Sequence, residues 1–338
     1  MAALRIGILG AGRWARTVHI PHLRELPEVT LVAASSNNLE HRQAAREAWG
    51  GPLCFYEEPE DVLQDEIDAV LVCTPNQTHE RLSVAALQAG KHVFCEKPPA
   101  LTRPGLAQLA AAVERSGTVF SVGLELRCSD VVTRMRELIR EGAVGEPRLL
   151  HCLLLRNYGS FGGWRDDPAQ SGGLFPELGI HYLDLLTALS GGSPTRVYAT
   201  GGHALGNRLP DYALCSVDFD NGARAGFGVT FFAAGSPEIR LHVIGAEGRL
   251  EGALLAGQVL LQSRAASEPE DRSPLRPPDR KLYGYPGSRE VLQDWVRSIL
   301  SGGTPRADIA VAVESTSLCL AAEESLRSGM PVEARPPG

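Results

Sequence analysis

The sequence predicts an α/β protein in two parts. Residues 1–123 form a half built on a parallel sheet, and residues 124–338 form an α+β half with a large, open, mostly antiparallel sheet. Three observations carry this prediction. An apolar run at residues 4–9 leads straight into Gly10-Ala11-Gly12-Arg13-Trp14-Ala15. Short apolar runs then alternate with helix-compatible stretches to about residue 123, the pattern of consecutive βα units. From Thr195 onward, strand-like runs follow one another with only turns between them.

A chain of 338 residues is too long for one ordinary core, which agrees with two domains. Hydrophobic residues make up 43% and charged residues 22%, a globular balance. The formal charge of −7 argues against a nucleic-acid surface, since phosphate backbones require a basic face. No apolar run approaches the roughly 20 residues of a membrane span. Only Met-Ala-Ala precedes the first strand, which leaves no room for a signal peptide, so a cytoplasmic location is expected. The seven cysteines are scattered, with no C-x-x-C and no metal-ligand spacing. Free buried thiols and no metal are expected.

The first turn is the most informative. G-x-G-x-x-A between a strand and a helix is the dinucleotide fingerprint of a Rossmann domain. Gly10 permits the turn, Gly12 lets the backbone approach a pyrophosphate, and Ala15 keeps helix and strand close. Arg13 and Trp14 lie beside the phosphates, where the helix N-terminus adds N–H groups and partial positive charge. The second strand, residues 29–36, ends in Ser35-Ser36-Asn37-Asn38. An acidic residue there would read the 2′-hydroxyl of NAD. None is present to repel a 2′-phosphate, and His41 or Arg42 one turn later could approach one. The plainer reading of those two residues is as ordinary exposed helix positions. NAD or NADP is the expected cofactor, with the balance toward NADP.

Strands follow at 54–56 and 68–73, the latter closed by Thr74-Pro75-Asn76 with His79 a turn later. The next strand, 92–95, stops at Glu96-Lys97-Pro98-Pro99 because proline cannot donate to a ladder. Lys97 therefore stands at the carboxyl end of a parallel strand, where open α/β sheets bind ligands. A helix at 103–116 and a strand at 118–123 complete the half.

Gly10-Ala11-Gly12, Thr74-Pro75-Asn76 with His79, and Cys95-Glu96-Lys97-Pro98 together resemble the Gfo/Idh/MocA oxidoreductase family. Trp164-Arg165-Asp166-Asp167-Pro168, Ser171-Gly172-Gly173 and Gly179-Ile180-His181 resemble its second signature, so the likeness spans the chain. The resemblance implies a Rossmann domain, then a substrate-binding domain whose open sheet serves subunit contact, giving a homodimer or homotetramer. It implies that Gly10, Gly12, Arg13, Trp14, Ser35, Ser36, Asn37, Arg42, Thr74, Pro75, Asn76, His79, Glu96 and Lys97 face the cofactor. It also implies a cis Lys97–Pro98 bond.

In the second half, an amphipathic helix is expected at 131–141 and an apolar strand at 148–157. A glycine-rich loop over 159–173 should lie at the surface. A helix at 174–189 places Glu177, His181 and Asp184 at i, i+4 and i+7 on one face. That stripe reads either as an acid/base site or as an exposed polar face with a salt-bridged histidine. The family likeness assigns His181 the acid/base role. Most relatives carry Asp at the position of Glu177; glutamate is one methylene longer, which leaves two roles open, orienting His181 or contacting a substrate hydroxyl. Asp184 reads as a partner that supports the site residues or as a simple structural acceptor, with the balance toward the latter. Arg156, Tyr158, Trp164 and Arg165 line a substrate cleft or an interface. Residues 195–262 read as an antiparallel meander, 263–280 as a mobile loop, and 290–301 and 308–328 as helices. The tail after Pro331 should pack loosely.

The implied reaction is hydride transfer between nicotinamide and a hydroxyl or ketone carbon of a sugar, cyclitol or related polyol, with Lys97, His181 and Glu177 as catalytic residues. Lys97 beside Glu96 suits charge stabilisation better than proton abstraction. Two other readings stand beside it: an NAD-dependent glycoside hydrolase of the same family, and a non-catalytic dinucleotide-binding regulator.

Overall fold

The computed structural model describes residues 3–274 and 284–335. The described residues of Met1–Glu125 and Arg280–Val313 form one compact unit, and those of Leu126–Asp279 and Glu314–Gly338 form a second.

The first unit is a six-stranded parallel sheet of β1 (Leu4–Leu9), β2 (Val29–Ser35), β3 (Cys54–Tyr56), β4 (Ala69–Val72), β5 (His92–Cys95) and β6 (Phe120–Val122), in the order β3-β2-β1-β4-β5-β6. The order reverses between β1 and β4, which leaves a crevice at the carboxyl ends of those strands. Ile6, Ile8, Val70, Leu71, Val93 and Phe94 are wholly buried, as strands covered on both faces must be. Each such side chain contributes about 1.5–3 kcal/mol by leaving water. The helix Arg103–Ser116 starts where Thr102 accepts the Gly105 N–H at 3.1 Å and Pro104 fills the first turn.

The division expected at 123/124 differs in one respect. Residues 284–313 return to the first unit rather than staying with the second. Trp295 of the helix Ser288–Ser301 is fully buried, edge-on to Phe94 at 5.7 Å. The Ala307 carbonyl accepts the Val122 N–H at 2.8 Å, which satisfies the outer edge of β6. A helix pattern reveals an apolar face but not which sheet it covers.

The second unit holds a nine-stranded sheet: β7 (Pro147–Leu155), β8 (Pro194–Gly202), β9 (Tyr212–Phe219), β10 (Arg224–Thr230), β11 (Glu238–Gly245), β12 (Gly248–Ala253), β13 (Gln258–Ser263), β14 (Glu270–Asp271) and β15 (Val332–Glu333). Its order is β14-β13-β12-β11-β7-β10-β9-β8-β15. The expected simple meander is corrected here. β7 inserts between β10 and β11, parallel to the first and antiparallel to the second. β7 carries five leucines, and its place in the sheet pairs both of its edges. Leu150, Cys152 and Leu154 point inward, while Leu149 is 51% exposed on the outer face. The helix Ile180–Ser190 covers the inner face, with Tyr182 stacked on Phe227 at 5.2 Å.

The tail is also corrected. Val332 and Glu333 pair with Val197 and Arg196, and the buried Ala334 donates to the Thr195 carbonyl at 3.0 Å. Of the loop expected over 263–280, residues 270–271 form β14 against β13, and residues 275–280 lie outside the described residues. All seven cysteines are free. Among the described residues, no helix is long and apolar enough to cross a membrane.

Candidate active site

The fingerprint turn is stitched to its neighbours by its own backbone. Gly10 donates to the Ser35 hydroxyl at 2.9 Å, and Ala11 donates to the Ser35 carbonyl at 2.7 Å. Gly10 has φ +96°, and a Cβ there would stand 2.8 Å from Thr74 Cγ2 and 3.0 Å from the Cys73 backbone. Only glycine fits. At Gly12 a Cβ would meet nothing nearer than the Cys73 carbonyl at 4.0 Å, so it would project into open space. A backbone cradle that a side chain would fill suits a pyrophosphate. Arg13 is exposed beside it. The chain then winds as a π turn over Ala15–His19 before the helix Ile20–Arg24.

At the end of β2, the Ser35 hydroxyl is occupied by Gly10, so Ser35 shapes the turn rather than facing outward. Asn37 is exposed, and Asn38 caps the helix Leu39–Trp49 by accepting the His41 N–H at 3.0 Å. Arg42 is half-buried. Its Nε donates to the Ser36 carbonyl at 2.6 Å, and its Nη2 lies 3.4 Å from Glu57. This anchors the guanidinium at the strand end, which an ordinary exposed helix position would not do.

The β5 end is the most densely wired part of the unit. The Lys97–Pro98 peptide is cis. Glu96 Oε1 accepts the Trp14 indole N–H at 3.1 Å and lies 2.6 Å from His19 Nε2, while Oε2 accepts the Lys97 N–H at 3.3 Å. Burial alone would raise the Glu96 pKa. The hydrogen bond and charge of His19, with Lys97 and His79, hold it instead at about 2. His19 itself is 2% exposed and lies edge-on to Phe94 at 5.5 Å. His79 is buried between two carbonyls, with Nδ1 2.8 Å from Pro98 O and Nε2 2.8 Å from Thr74 O. Burial lowers its pKa against the pull of those carbonyls and of Glu96. The ring lies between the Thr74-Pro75-Asn76 segment and the Lys97 turn, and in its neutral form it donates to only one of the two carbonyls. Asn76 is 3% exposed.

The second unit, taken by itself, holds a polar cluster of its own. The helix 174–189 expected from sequence begins as a π turn, Phe175–Gly179, before Ile180–Ser190. The wider winding breaks the simple i, i+4 stripe, and π turns recur at functional positions. Glu177, His181 and Asp184 are 2%, 6% and 0% exposed, which rules out an exposed polar face. Arg165 Nε lies 2.9 Å from Glu177 Oε1. Asp184 is held bidentately by Arg127 and receives the Ser315 hydroxyl at 2.7 Å, so it is a structural acceptor. The expected cleft residues form two groups. The Arg165 guanidinium lies 5.8 Å from the Trp164 ring centroid. Arg156 lies 5.6 Å from that of Tyr158, which packs with Phe161 and Phe231.

Sequence reasoning missed His19, Arg127, Ser315 and also Glu323, whose carboxyl accepts the Phe175 N–H at 3.1 Å. His19 had the weak signal of a titratable group one turn beyond the fingerprint. Arg127, Ser315 and Glu323 lie far from their partners along the chain and had none.

Residues 4–124 match the family model described as "Oxidoreductase family, NAD-binding Rossmann fold", and residues 132–251 match the "GFO/IDH/MocA C-terminal domain". The chain is 29% identical to 1,5-anhydro-D-fructose reductase of Ensifer adhaerens, over 97% of this chain and 98% of that protein. It is 27% identical to myo-inositol 2-dehydrogenase of Thermotoga maritima, over 73% and 74%. The crystal structure of aldose-aldose oxidoreductase from Caulobacter crescentus in complex with glycerol superposes with a TM-score of 0.84 at 25% identity, over 98% of this chain and 99% of that one. The two family matches, the fold of each unit and the Gly10–Gly12 cradle lead to one conclusion: the chain belongs to the Gfo/Idh/MocA family of NAD-binding oxidoreductases.

Proposed function

We propose that this chain catalyses hydride transfer between the nicotinamide of NAD or NADP and a hydroxyl- or ketone-bearing carbon of a sugar, cyclitol or related polyol. One observation carries the reading. Lys97 stands at the carboxyl end of β5, on the same sheet edge as the Gly10–Gly12 cradle, with its backbone held by Glu96. The bound cofactor supplies the redox chemistry. Lys97 donates a hydrogen bond to the reacting oxygen and stabilises alkoxide charge as it develops. His181 takes the hydroxyl proton in oxidation and returns it in reduction. Glu177, pinned by Arg165, orients His181 or a substrate hydroxyl.

The polyol class is supported by relatives named for inositol and anhydrofructose. The anchored Arg42 and the lack of a carboxylate after β2 support NADP alongside NAD. Leu149, Tyr198, Leu214 and Ile244, exposed on the outer face of the nine-stranded sheet, support a homodimer or homotetramer formed there.

The test measures nicotinamide absorbance with NAD and NADP against myo-inositol, scyllo-inositol, 1,5-anhydro-D-fructose and simple aldoses. Lys97→Ala should bind nucleotide as the parent does and lose turnover by about 10²–10³-fold. Parent-like turnover in Lys97→Ala refutes its role, and an unchanged pH–rate profile in His181→Asn refutes the histidine's. Aglycone release from glycosides without net cofactor reduction would replace the reading with hydrolysis.

A further inference from the structure

The helix that carries Glu177 and His181 is capped by a carboxyl from the far end of the sequence. Glu323 lies on the helix Ile309–Ser328, and its Oε2 accepts the Phe175 N–H at 3.1 Å. The Phe175 N–H is one of the donors that every helix start leaves without an intrahelical partner. The Leu174 side chain, at the N-cap, supplies no acceptor. The carboxyl lies at the positive end of the helix dipole, and its oxygen accepts from the helix start whether or not the group is ionised.

The approach of Glu323 depends on Gly173. That residue has φ +102°, and a Cβ there would stand 2.3 Å from Glu323 Cδ. The second glycine of Ser171-Gly172-Gly173 is thus a notch through which a distant carboxyl reaches the helix start. Phe175 opens the π turn that contains Glu177, and the Glu177 N–H bonds to the Gly173 carbonyl at 3.1 Å. Whatever fixes Gly173 and Phe175 therefore fixes the turn from which Glu177 meets Arg165 and from which His181 follows.

We propose that Glu323 is a positioning residue for proton transfer, holding the first turn of the His181 helix through the Gly173 notch. The proposal rests on the reading of His181 as the proton-transfer group. The carboxyl touches neither Glu177 nor His181. It acts by setting the rotation and the start of their helix, and small misplacements of a catalytic group cost rate steeply.

The test uses the full-length chain and four variants: Glu323→Ala, Glu323→Gln, Gly173→Ala and the double variant Gly173→Ala/Glu323→Ala. The first readout needs no substrate. The His181 ring is followed by NMR through a pH titration, and amide exchange is followed over residues 174–181. The second readout is kcat and KM with NAD and whichever polyol of the panel is turned over, beside the nucleotide Kd. Glu323→Ala should speed exchange at residues 174–177, shift the His181 titration and lower kcat about 10–100-fold with Kd unchanged. Glu323→Gln keeps an acceptor oxygen and should restore most of the rate. Gly173→Ala should reproduce Glu323→Ala, and the double variant should be no worse than the poorer single one. An unchanged His181 titration and kcat in Glu323→Ala overturns the proposal, as do fully additive effects of Gly173→Ala and Glu323→Ala. If His181→Asn keeps its pH–rate profile, the proton-transfer reading falls instead, while exchange at residues 174–177 still reports on the cap.

Discussion

Removing the Asp184 carboxylate separates support from chemistry in the second unit. Asp184 has no exposure, and its partner Arg127 has a side chain only 9% exposed. Arg127 Nε donates to Oδ2 at 3.0 Å and Nη2 donates to Oδ1, while Ser315 donates to Oδ1 at 2.7 Å. Burial alone would depress the guanidinium pKa, and Asp184 holds it above its ordinary value. Asp184→Ala leaves that cation buried without its anion, at a cost of about 3–5 kcal/mol. For a unit of this size, this corresponds to a fall in Tm of roughly 10 °C. Replacing the pair, as Asp184→Ala/Arg127→Met, removes the stranded charge and should recover most of the loss. Thermal melts followed by circular dichroism measure the stability. Turnover is then compared at a temperature where every variant is folded, and there Asp184→Ala should retain most of its kcat. A variant that melts within a degree of the parent yet has lost turnover refutes the structural assignment. Failure of the double variant to recover refutes the stranded-cation account.

Three further outcomes follow from the geometry. Glu96, held at about 2, should stabilise the fold above the ordinary carboxyl value of 4.5 and lose that contribution as the pH falls toward 2. The contribution is about 3 kcal/mol at most, and Glu96→Gln should lack it in denaturant titrations across that window. Glu323 behaves in the opposite sense. Burial lifts its pKa to about 7 against the Phe175 and Leu174 N–H groups and Arg327, so stability should decline as the pH rises from 4.5 through 7. Urea midpoints at the two ends of that range should differ in the parent and converge in Glu323→Gln. Gly10→Ala forces a side chain into a left-handed backbone 3.0 Å from the Cys73 backbone. It should cost about 1–3 kcal/mol and weaken nucleotide binding in a fluorescence titration. Parent-like binding would show that the turn relaxes.

Local pattern announced most of the first unit. The Gly10–Gly12 turn, the β4 and β5 ends and the position of Lys97 all depend on residues close in sequence, where glycine, proline and apolar alternation constrain the backbone directly. Glu177 and His181 were also singled out from their spacing. Their burial was not legible, because a helix with polar residues on one face reads alike whether that face meets water or Arg165. The pairing of Asp184 with Arg127 spans 57 residues, and that of Glu323 with Phe175 spans 148. No periodicity encodes such contacts. Gly172-Gly173 hinted at a close approach without naming what approaches. The placement of β7 between β10 and β11 escaped for a related reason. Strand pairing across a sheet is chosen by burial, and sequence order suggested only neighbours.

The return of residues 284–313 to the first unit has a consequence for synthesis. The nucleotide-binding unit has its first part before residue 126, yet its last piece is completed at residue 313, 188 residues after residue 125. At about 5–20 residues per second, this delay is roughly 10–40 s. Throughout it, the face of Phe94 that Trp295 will cover is open, and the outer edge of β6 lacks the Ala307 carbonyl. The nascent N-terminal half is therefore a natural client for chaperones that shield apolar faces and bare strand edges. A fragment ending near residue 125 would remain in that exposed condition.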